Sequence, residues 1–127
     1  MYLAPIEVLY IYQMMGLKAT LVNDAFPIVS CGLRDVSGGF DLTFSGLDGV
    51  VTISVPWKDL IEIQPTPPDG QCLLRITAHP IGFDMFFLGE NFLRSAYVLF
   101  DYDEKTISLA RPTYDETCND CVQPLRR

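Results

Sequence analysis

Pairs of carboxylates that stand close together are the first residues of this chain that could do chemistry. Asp84 with Glu90 and Asp101 with Asp103 form two such pairs. Two carboxylates that share one proton can act as general base and general acid, because like charges at close range cannot both ionise. Both pairs stand in segments typical of loops and strand ends, so we interpret them as solvated charges and predict no catalytic residue among them.

Nucleophilic and metal chemistry have little support in the sequence. His79 is the only histidine, it precedes Pro80 in a segment typical of a turn, and the sequence identifies no Ser or Cys partner for it. Cys118 and Cys121 have C-x-x-C spacing, but zinc would need two further ligands nearby, and acidic neighbours disfavour a thiolate. We predict no metal site and no cofactor, and we leave open whether these two cysteines are oxidised or reduced.

Composition restricts the function classes further. The chain has 127 residues, of which 49% are hydrophobic and 20% charged, as expected for one globular domain. Its net charge of −7 argues against nucleic acid as a partner, since phosphate binding needs clustered Lys and Arg. No apolar run is long enough to span a bilayer, and the N-terminal segment has no basic region or cleavage site typical of a signal peptide.

The elements that would position any site are mostly strands. Residues 6–15 predict a helix, with Pro5 in its first turn and Gly16 as its stop. Residues 40–44 alternate between apolar and polar, and residues 50–56 form the returning strand of a hairpin that ends at Pro56. Further strands are predicted within residues 26–31 and 72–77, and residues 57–63 are predicted to form a turn followed by a strand.

Three short motifs follow one another near the C-terminus: Phe87-Leu88-Gly89-Glu90, Tyr97-Val98-Leu99-Phe100-Asp101 and Ser108-Leu109-Ala110. Together with the hairpin over residues 43–56, they resemble the end of the C-terminal lobe of pepsin-like aspartic proteases, most closely the fungal secreted type. The resemblance implies a mainly β fold with two short helices. We expect a partial C-terminal lobe over residues 1–114 and a polar tail over residues 115–127.

The resemblance also implies roles for single residues. Cys31 and Cys72 stand where the family carries the disulfide of this lobe. Gly89 stands where the family needs a glycine so that a strand can pass close under the catalytic loop. Glu90 replaces the usual Asp and can still interact with the N-terminus of a helix expected over residues 91–97. The apolar residues 85–88 are expected to form a strand.

The catalytic residues of the family have no counterpart in this sequence. Each lobe of such a protease supplies one aspartate in an Asp-Thr-Gly or Asp-Ser-Gly triplet, and neither triplet occurs here. Residues 1–5 resemble the segment just downstream of the C-terminal triplet, so we expect the chain to lack that aspartate and the whole N-terminal lobe. The family function would be that of an aspartic endopeptidase, but we predict that this chain is inactive alone.

Two other interpretations stay open: a non-catalytic binding or interaction module built on the lobe, and a truncated gene product. We expect peptide or protein substrates to bind only if a complementary lobe is supplied. Apolar surface left uncovered by the missing strands predicts self-association. The family suggests a secreted or vacuolar location.

Overall fold

The structure is a computed structural model that describes residues 1–17, 26–47, 49–63, 70–80, 82 and 85–112. Strands dominate this part of the chain, so the fold is mainly β, as the resemblance implies. In chain order the elements are β1 (Tyr2–Leu3), α1 (Pro5–Met14), β2 (Ile28–Ser30), a 3-10 helix (Cys31–Asp35), β3 (Gly39–Gly46), β4 (Gly49–Pro56), α2 (Trp57–Leu60), β5 (Ile61–Ile63), β6 (Gln71–Leu74), β7 (Thr77–Ala78), α3 (Gly89–Leu93), β8 (Tyr97–Asp101) and β9 (Thr106–Ala110).

The first helix begins and ends where the sequence predicts. Pro5 occupies the first turn, where its missing N–H would have no helical partner. Gly16 follows the helix with φ +68° and donates its N–H to the carbonyl of Gln13 at 3.0 Å, which stops the helix. Val8, Ile11 and Tyr12 are buried, so a stripe at three- and four-residue spacing faces the core.

The longest pairing is the hairpin of β3 and β4. The two strands pair antiparallel along their whole length, from Gly39 opposite Pro56 to Gly46 opposite Gly49, which extends the predicted hairpin at both ends. Ile53 and Val55 are fully buried, whereas Thr43 and Thr52 on the opposite face join their hydroxyls at 3.0 Å. The alternation in the sequence is therefore an alternation between core and solvent.

A second sheet has the strand order β2-β6-β5 and contains the predicted disulfide. Cys31 follows β2, Cys72 lies in β6, and the Cα atoms of the two residues are 5.1 Å apart across the bond. Cys72 is buried, with an exposed fraction of 1%. The disulfide that the resemblance implied for Cys31 and Cys72 is confirmed.

Several predicted boundaries were wrong. The turn and strand predicted over residues 57–63 are present as α2 and β5, but because that turn is helical the described residues contain three α-helices and not two. The predicted strand 72–77 is two strands, because β6 ends at Leu74 and β7 pairs parallel with β1 in a separate sheet. In residues 85–88 only Phe87 forms a β-bridge.

The helix expected over residues 91–97 is also displaced. It begins earlier, at Gly89, and ends at Leu93, while Tyr97 already belongs to β8. The polar tail over residues 115–127, with Cys118 and Cys121, lies outside the described residues.

The core lies between α1, the sheets and α3. Its members are apolar residues with little or no exposed surface, contributed by nearly every element: Met1, Leu3, Val8, Ile11, Tyr12, Val29, Ile53, Val55, Leu60, Ile61, Cys72, Leu74, Ile76 and Phe92. No helix in the described ranges is long and apolar enough to cross a membrane.

A hydrogen bond of Tyr12 joins α1 to the segment before β7, and it allows a first prediction about stability. Its hydroxyl donates to the carbonyl oxygen of Ile76 at 2.8 Å inside the core. Tyr12→Phe leaves that carbonyl without this donor, so we expect a loss of about 1 kcal/mol in the free energy of unfolding. Urea unfolding at neutral pH measures the difference, and an unchanged stability would contradict the contact.

The same residue predicts a pH dependence. Burial raises the pKa of Tyr12 above its ordinary value, and a hydrogen bond with the Thr77 side chain offsets part of that effect. Above a pH of about 10 the unfolded chain releases this proton while the folded chain keeps it, so stability falls as pH rises. Tyr12→Phe has no such proton, and its stability deficit relative to the natural chain should shrink above that pH.

Candidate functional site

Three chain segments meet around Tyr2. β1 runs parallel to β7, with Tyr2 opposite Thr77. On its other side Tyr2 exchanges two backbone hydrogen bonds with Phe87: the Tyr2 N–H donates to the Phe87 carbonyl at 2.7 Å, and the Phe87 N–H donates to the Tyr2 carbonyl at 3.0 Å. The two rings meet edge to face with centroids 6.3 Å apart. The predicted motif is thus joined to the N-terminal segment of the chain.

Side chains of α3, the helix that begins at Gly89 of the motif, fix its position in the fold. Asn91 donates its side-chain N–H to the carbonyl oxygen of Asp59, which fastens α3 to α2. Glu90 forms an exposed ion pair with Arg94 one turn later. Glu90 lies in the first turn, where a carboxylate also interacts favourably with the helix dipole. Its partner is a cation and not a second carboxylate, which fits a structural role.

A cleft of about 510 Å³ opens beside this junction. The described residues that line it are Met1, Tyr2, His79, Pro80, Phe87, Gly89, Glu90 and Asn91. Among the described residues that line it, Glu90 is the one carboxylate. The described part of the cleft therefore does not show the acid–base pair of an aspartic protease, which needs two carboxylates that share a proton.

Of the two candidate pairs of carboxylates, only Asp101 and Asp103 are both described, and Asp101 holds a turn instead of sharing a proton with Asp103. Asp101 uses one carboxylate oxygen to accept the backbone N–H groups of Asp103 and Glu104, at 3.0 and 2.9 Å. This carboxylate therefore holds the exposed turn between β8 and β9, and the side chain of Asp103 is exposed to solvent. Asp84 lies outside the described residues.

His79 is placed in a structural contact. Its Nδ1 is 3.0 Å from the carbonyl oxygen of Pro80, and because a carbonyl only accepts, this nitrogen carries the proton. The ring also meets Phe86 edge-on, with centroids 6.3 Å apart. Among the described residues, no group of three or more His, Cys, Asp or Glu side chains is arranged to hold a metal ion.

Gly89 has a backbone reason to be glycine. Its φ is +70°, and a Cβ built on it would meet no described atom within 4 Å. The expected approach of a catalytic loop therefore has no counterpart in the described residues, whereas the left-handed conformation accounts for the glycine by itself.

A pair of substitutions separates these two reasons for Gly89. We expect Gly89→Ala to cost about 1 kcal/mol in the free energy of unfolding, because L-residues are strained in the left-handed region. Gly89→Asn should cost less, since asparagine tolerates that region best among ordinary side chains. Thermal unfolding of both variants decides the question, and a larger cost for Asn than for Ala would indicate a steric constraint.

A second and larger groove was not predicted from the sequence. It has a volume of about 870 Å³ and lies between the tip of the β3–β4 hairpin, α3 and the β8–β9 hairpin. Among the described residues, none that lines the groove is charged, and Asp48, between the lining residues Leu47 and Gly49, lies outside the described residues. The sequence does not reveal that the three segments that line the groove meet.

Comparison with known proteins agrees with this architecture. A sequence profile of the family described as eukaryotic aspartyl protease matches residues 3–112. Secreted aspartic protease 9 of Candida albicans is 34% identical over 87 residues, covering 68% of this chain and 15% of the relative. Candidapepsin of Candida tropicalis is 37% identical over 92 residues, covering 72% of this chain and 20% of the relative. Acid protease of Saccharomycopsis fibuligera is 34% identical over 88 residues, covering 68% and 20%.

The match covers most of this chain but only a small part of each relative. It takes in the α1 helix, both hairpins, the disulfide and the Gly89 motif, whereas the chain spans only about a fifth or less of these three relatives' lengths. Because the profile match covers most of the chain, the protein belongs to the eukaryotic aspartyl protease family.

Proposed function

We propose that this chain is a framework part of an aspartic endopeptidase lobe, and that it does not hydrolyse peptide bonds by itself. One observation carries the proposal. Tyr2 and Phe87 are joined by two backbone hydrogen bonds, yet the 127-residue sequence contains no Asp-Thr-Gly or Asp-Ser-Gly triplet. The chain offers the support of a catalytic site and none of its carboxylates.

The chemistry explains why the support is not enough. An aspartic protease activates one water between two carboxylates that share a proton, so one acts as base and the other as acid. In the family these groups arrive on two triplet loops, one from each lobe. Two copies of this chain would still supply neither triplet, so dimerisation does not restore the pair.

Substrate and location follow from the same proposal. A peptide or protein substrate would bind only once another polypeptide supplies the triplets and the second lobe. The relatives include proteins named as secreted, and the Cys31–Cys72 bond supports an oxidising compartment for this chain as well.

A chimera tests whether the framework is functional. The segment of candidapepsin from Candida tropicalis that matches this chain is replaced by the corresponding residues of this chain, and the rest of the relative is kept. We expect the chimera to cleave a denatured protein substrate at acid pH and to be blocked by a pepsin-type transition-state inhibitor. A chimera with one triplet aspartate changed to Asn is the matched control and should be inactive.

One result of the chimera experiment would contradict the proposal. A chimera that unfolds cooperatively on heating, and so is folded, but cleaves nothing with its triplets intact would show that these residues no longer support catalysis. That result would favour a non-catalytic interaction module.

The interaction module is the second candidate because of exposed apolar surface. On α1, Ile6, Tyr10 and Met14 have exposed fractions of 76%, 65% and 71%, and Met85 and Phe86 are more than half exposed. Surface of this kind favours association with other protein surfaces, including a second copy of the chain. Size-exclusion chromatography with a hydrophobic dye tests it, and a sharp monomer with little dye binding would exclude it.

A further inference from the structure

Ring contacts lead from the Tyr2–Phe87 junction to an arginine beside the three-stranded sheet. The ring of Tyr2 meets the ring of Phe26 with centroids 6.1 Å apart and an interplanar angle of 63°. The guanidinium carbon of Arg75 lies 4.7 Å from the centroid of the Phe26 ring. The two distances are typical of an edge-to-face aromatic pair and of a cation–π contact. Arg75 is therefore connected to the junction through the ring of Phe26.

The backbone register of the sheet places Phe26 beside Arg75. β2 and β6 pair antiparallel, and just beyond β2 the N–H of Leu74 donates to the carbonyl of Pro27 at 3.0 Å. Leu74 and Pro27 thus stand opposite each other, and the next pair outward in the same register is Arg75 with Phe26. Side chains that stand directly opposite each other lie on the same face and interact. The contact between the cation and the ring is therefore fixed by the sheet.

The backbone and the side chain of Arg75 are held by different partners. Its backbone N–H donates to the carbonyl of Leu60 at 2.7 Å, so a substitution of the side chain leaves this bond in place. Its guanidinium forms an ion pair with Glu62 of β5 through Nε. Both side chains are partly exposed, and such a pair contributes little to stability by itself. Its consequence is geometric, because it restricts where the guanidinium lies above Phe26.

The backbone of Tyr2 is likewise fixed separately from its ring. The backbone is paired with Thr77 on one side and with Phe87 on the other. The ring packs against two further rings, that of Phe26 at 6.1 Å and that of Phe87 at 6.3 Å between centroids. Packing of this kind selects one side-chain rotamer among the staggered ones. A change at Phe26 can therefore reorient the ring of Tyr2 while the strand pairing stays intact.

We propose that Arg75 is a positioning residue, whose positive charge acts through the ring of Phe26 to hold the ring of Tyr2 in place at the junction. The charge is attracted to the negative face of the Phe26 ring and fixes that ring, which in turn restricts Tyr2. The proposal rests on the proposed function, in which the junction supports the catalytic site of a complete protease. It uses only direct contacts between residues that the structure describes, so it does not depend on what else packs against this lobe.

Nuclear magnetic resonance of the Tyr2 ring protons tests the positioning without any catalytic activity. Arg75→Gln removes the charge, whereas Arg75→Lys keeps a cation that can also lie over an aromatic ring. We expect Arg75→Gln to shift the Tyr2 ring resonances of this chain and Arg75→Lys to shift them much less. The matched control is Arg111→Gln, which makes the same change at an arginine whose Nε–H donates to the carbonyl of Thr52 at 2.9 Å. It should leave the Tyr2 resonances unchanged.

A double-mutant cycle shows whether Phe26 transmits the effect. Phe26→Leu keeps an apolar side chain and removes the ring, so Arg75→Gln should cause no further shift of the Tyr2 resonances in that background. An undiminished shift there would overturn the proposal, because Arg75 would then act on Tyr2 by another route. Unchanged Tyr2 resonances in Arg75→Gln, or equal shifts in Arg75→Gln and Arg75→Lys, would also overturn it, and neither result requires the Phe26 variant. Circular dichroism establishes that each variant is folded.

The chimera with candidapepsin then measures the effect of this positioning on catalysis. We expect Arg75→Gln in the chimera to lower kcat about tenfold with little change in KM, because a small displacement of the framework misaligns the reacting groups. Arg75→Lys should retain most of the activity, and Arg111→Gln should retain all of it. An unchanged kcat in Arg75→Gln, with the Tyr2 resonances shifted, would overturn the role in catalysis. A chimera that is inactive before any substitution would instead reject the proposed function, whereas the Tyr2 resonances decide the positioning by themselves.

Discussion

Replacing both Cys31 and Cys72 with Ala should lower the free energy of unfolding by about 4 kcal/mol. The bond closes a loop with a sequence separation of 41 residues, so it removes much conformational freedom from the unfolded chain. It also joins the end of β2 to β6, the central strand of its sheet. Since a domain of this size is stabilised by only about 5–15 kcal/mol, such a loss is a large share of the total.

Chemical denaturation of the double variant, compared with the natural chain under non-reducing conditions, measures the effect. The matched control is Cys118→Ser with Cys121→Ser, which removes the other two cysteines. We expect this control to be affected far less, because C-x-x-C spacing can close only a very short loop. A larger loss in the control than in the Cys31 and Cys72 variant would contradict the assigned pairing.

Gly39→Ala should destabilise the β3–β4 hairpin by about 3 kcal/mol. A Cβ on Gly39 would lie 2.7 Å from the carbonyl carbon of Val55 and 2.9 Å from the Cα of Pro56. These are backbone atoms, which cannot turn away as a side-chain end can. Relief would require the strands to separate at their last pair, beside the fully buried Val55.

Gly46 provides the control for Gly39, since it lies at the other end of the same strand. A Cβ there would be 3.8 Å from the carbonyl oxygen of Gly49, an ordinary contact. We expect Gly46→Ala to change the stability by less than about 1 kcal/mol. Equal midpoints for the two variants in urea unfolding would show that the close approach at Gly39 is absent in solution.

Local patterns were enough to predict the parts of the fold that depend on neighbouring residues. The α1 helix has a proline start and a glycine stop within its own sequence, and the hairpin shows its alternation on both strands. The α2 helix was not predicted, because its four residues form a single turn, which is too short to show the helical periodicity of apolar residues.

Contacts between distant residues were beyond local patterns. The pairing of β1 with β7 joins residues about 75 apart in sequence, and the burial of Ile76 between β6 and β7 depends on that pairing. The steric need for Gly39 follows from its register opposite Pro56, which no local signal states. The Cys31–Cys72 bond was predicted only through the family resemblance, because four cysteines allow three pairings.

The candidate site was likewise predictable only in part from the sequence. The motif at Gly89 was recognisable as a motif, but its junction with Tyr2 and its φ of +70° are properties of the folded chain. The larger groove brings the β3–β4 hairpin beside α3 and the β8–β9 hairpin, which follow much later in the sequence, so only the folded chain reveals it.

An assay of peptidase activity decides whether the isolated chain can hydrolyse peptide bonds. Highly purified protein is incubated with denatured protein substrates from acid to neutral pH, with and without a pepsin-type transition-state inhibitor. We expect no inhibitor-sensitive cleavage at any pH, because the sequence supplies neither triplet aspartate. Inhibitor-sensitive cleavage that co-elutes with the chain through successive columns would contradict this expectation and would mean that its carboxylates form a catalytic pair.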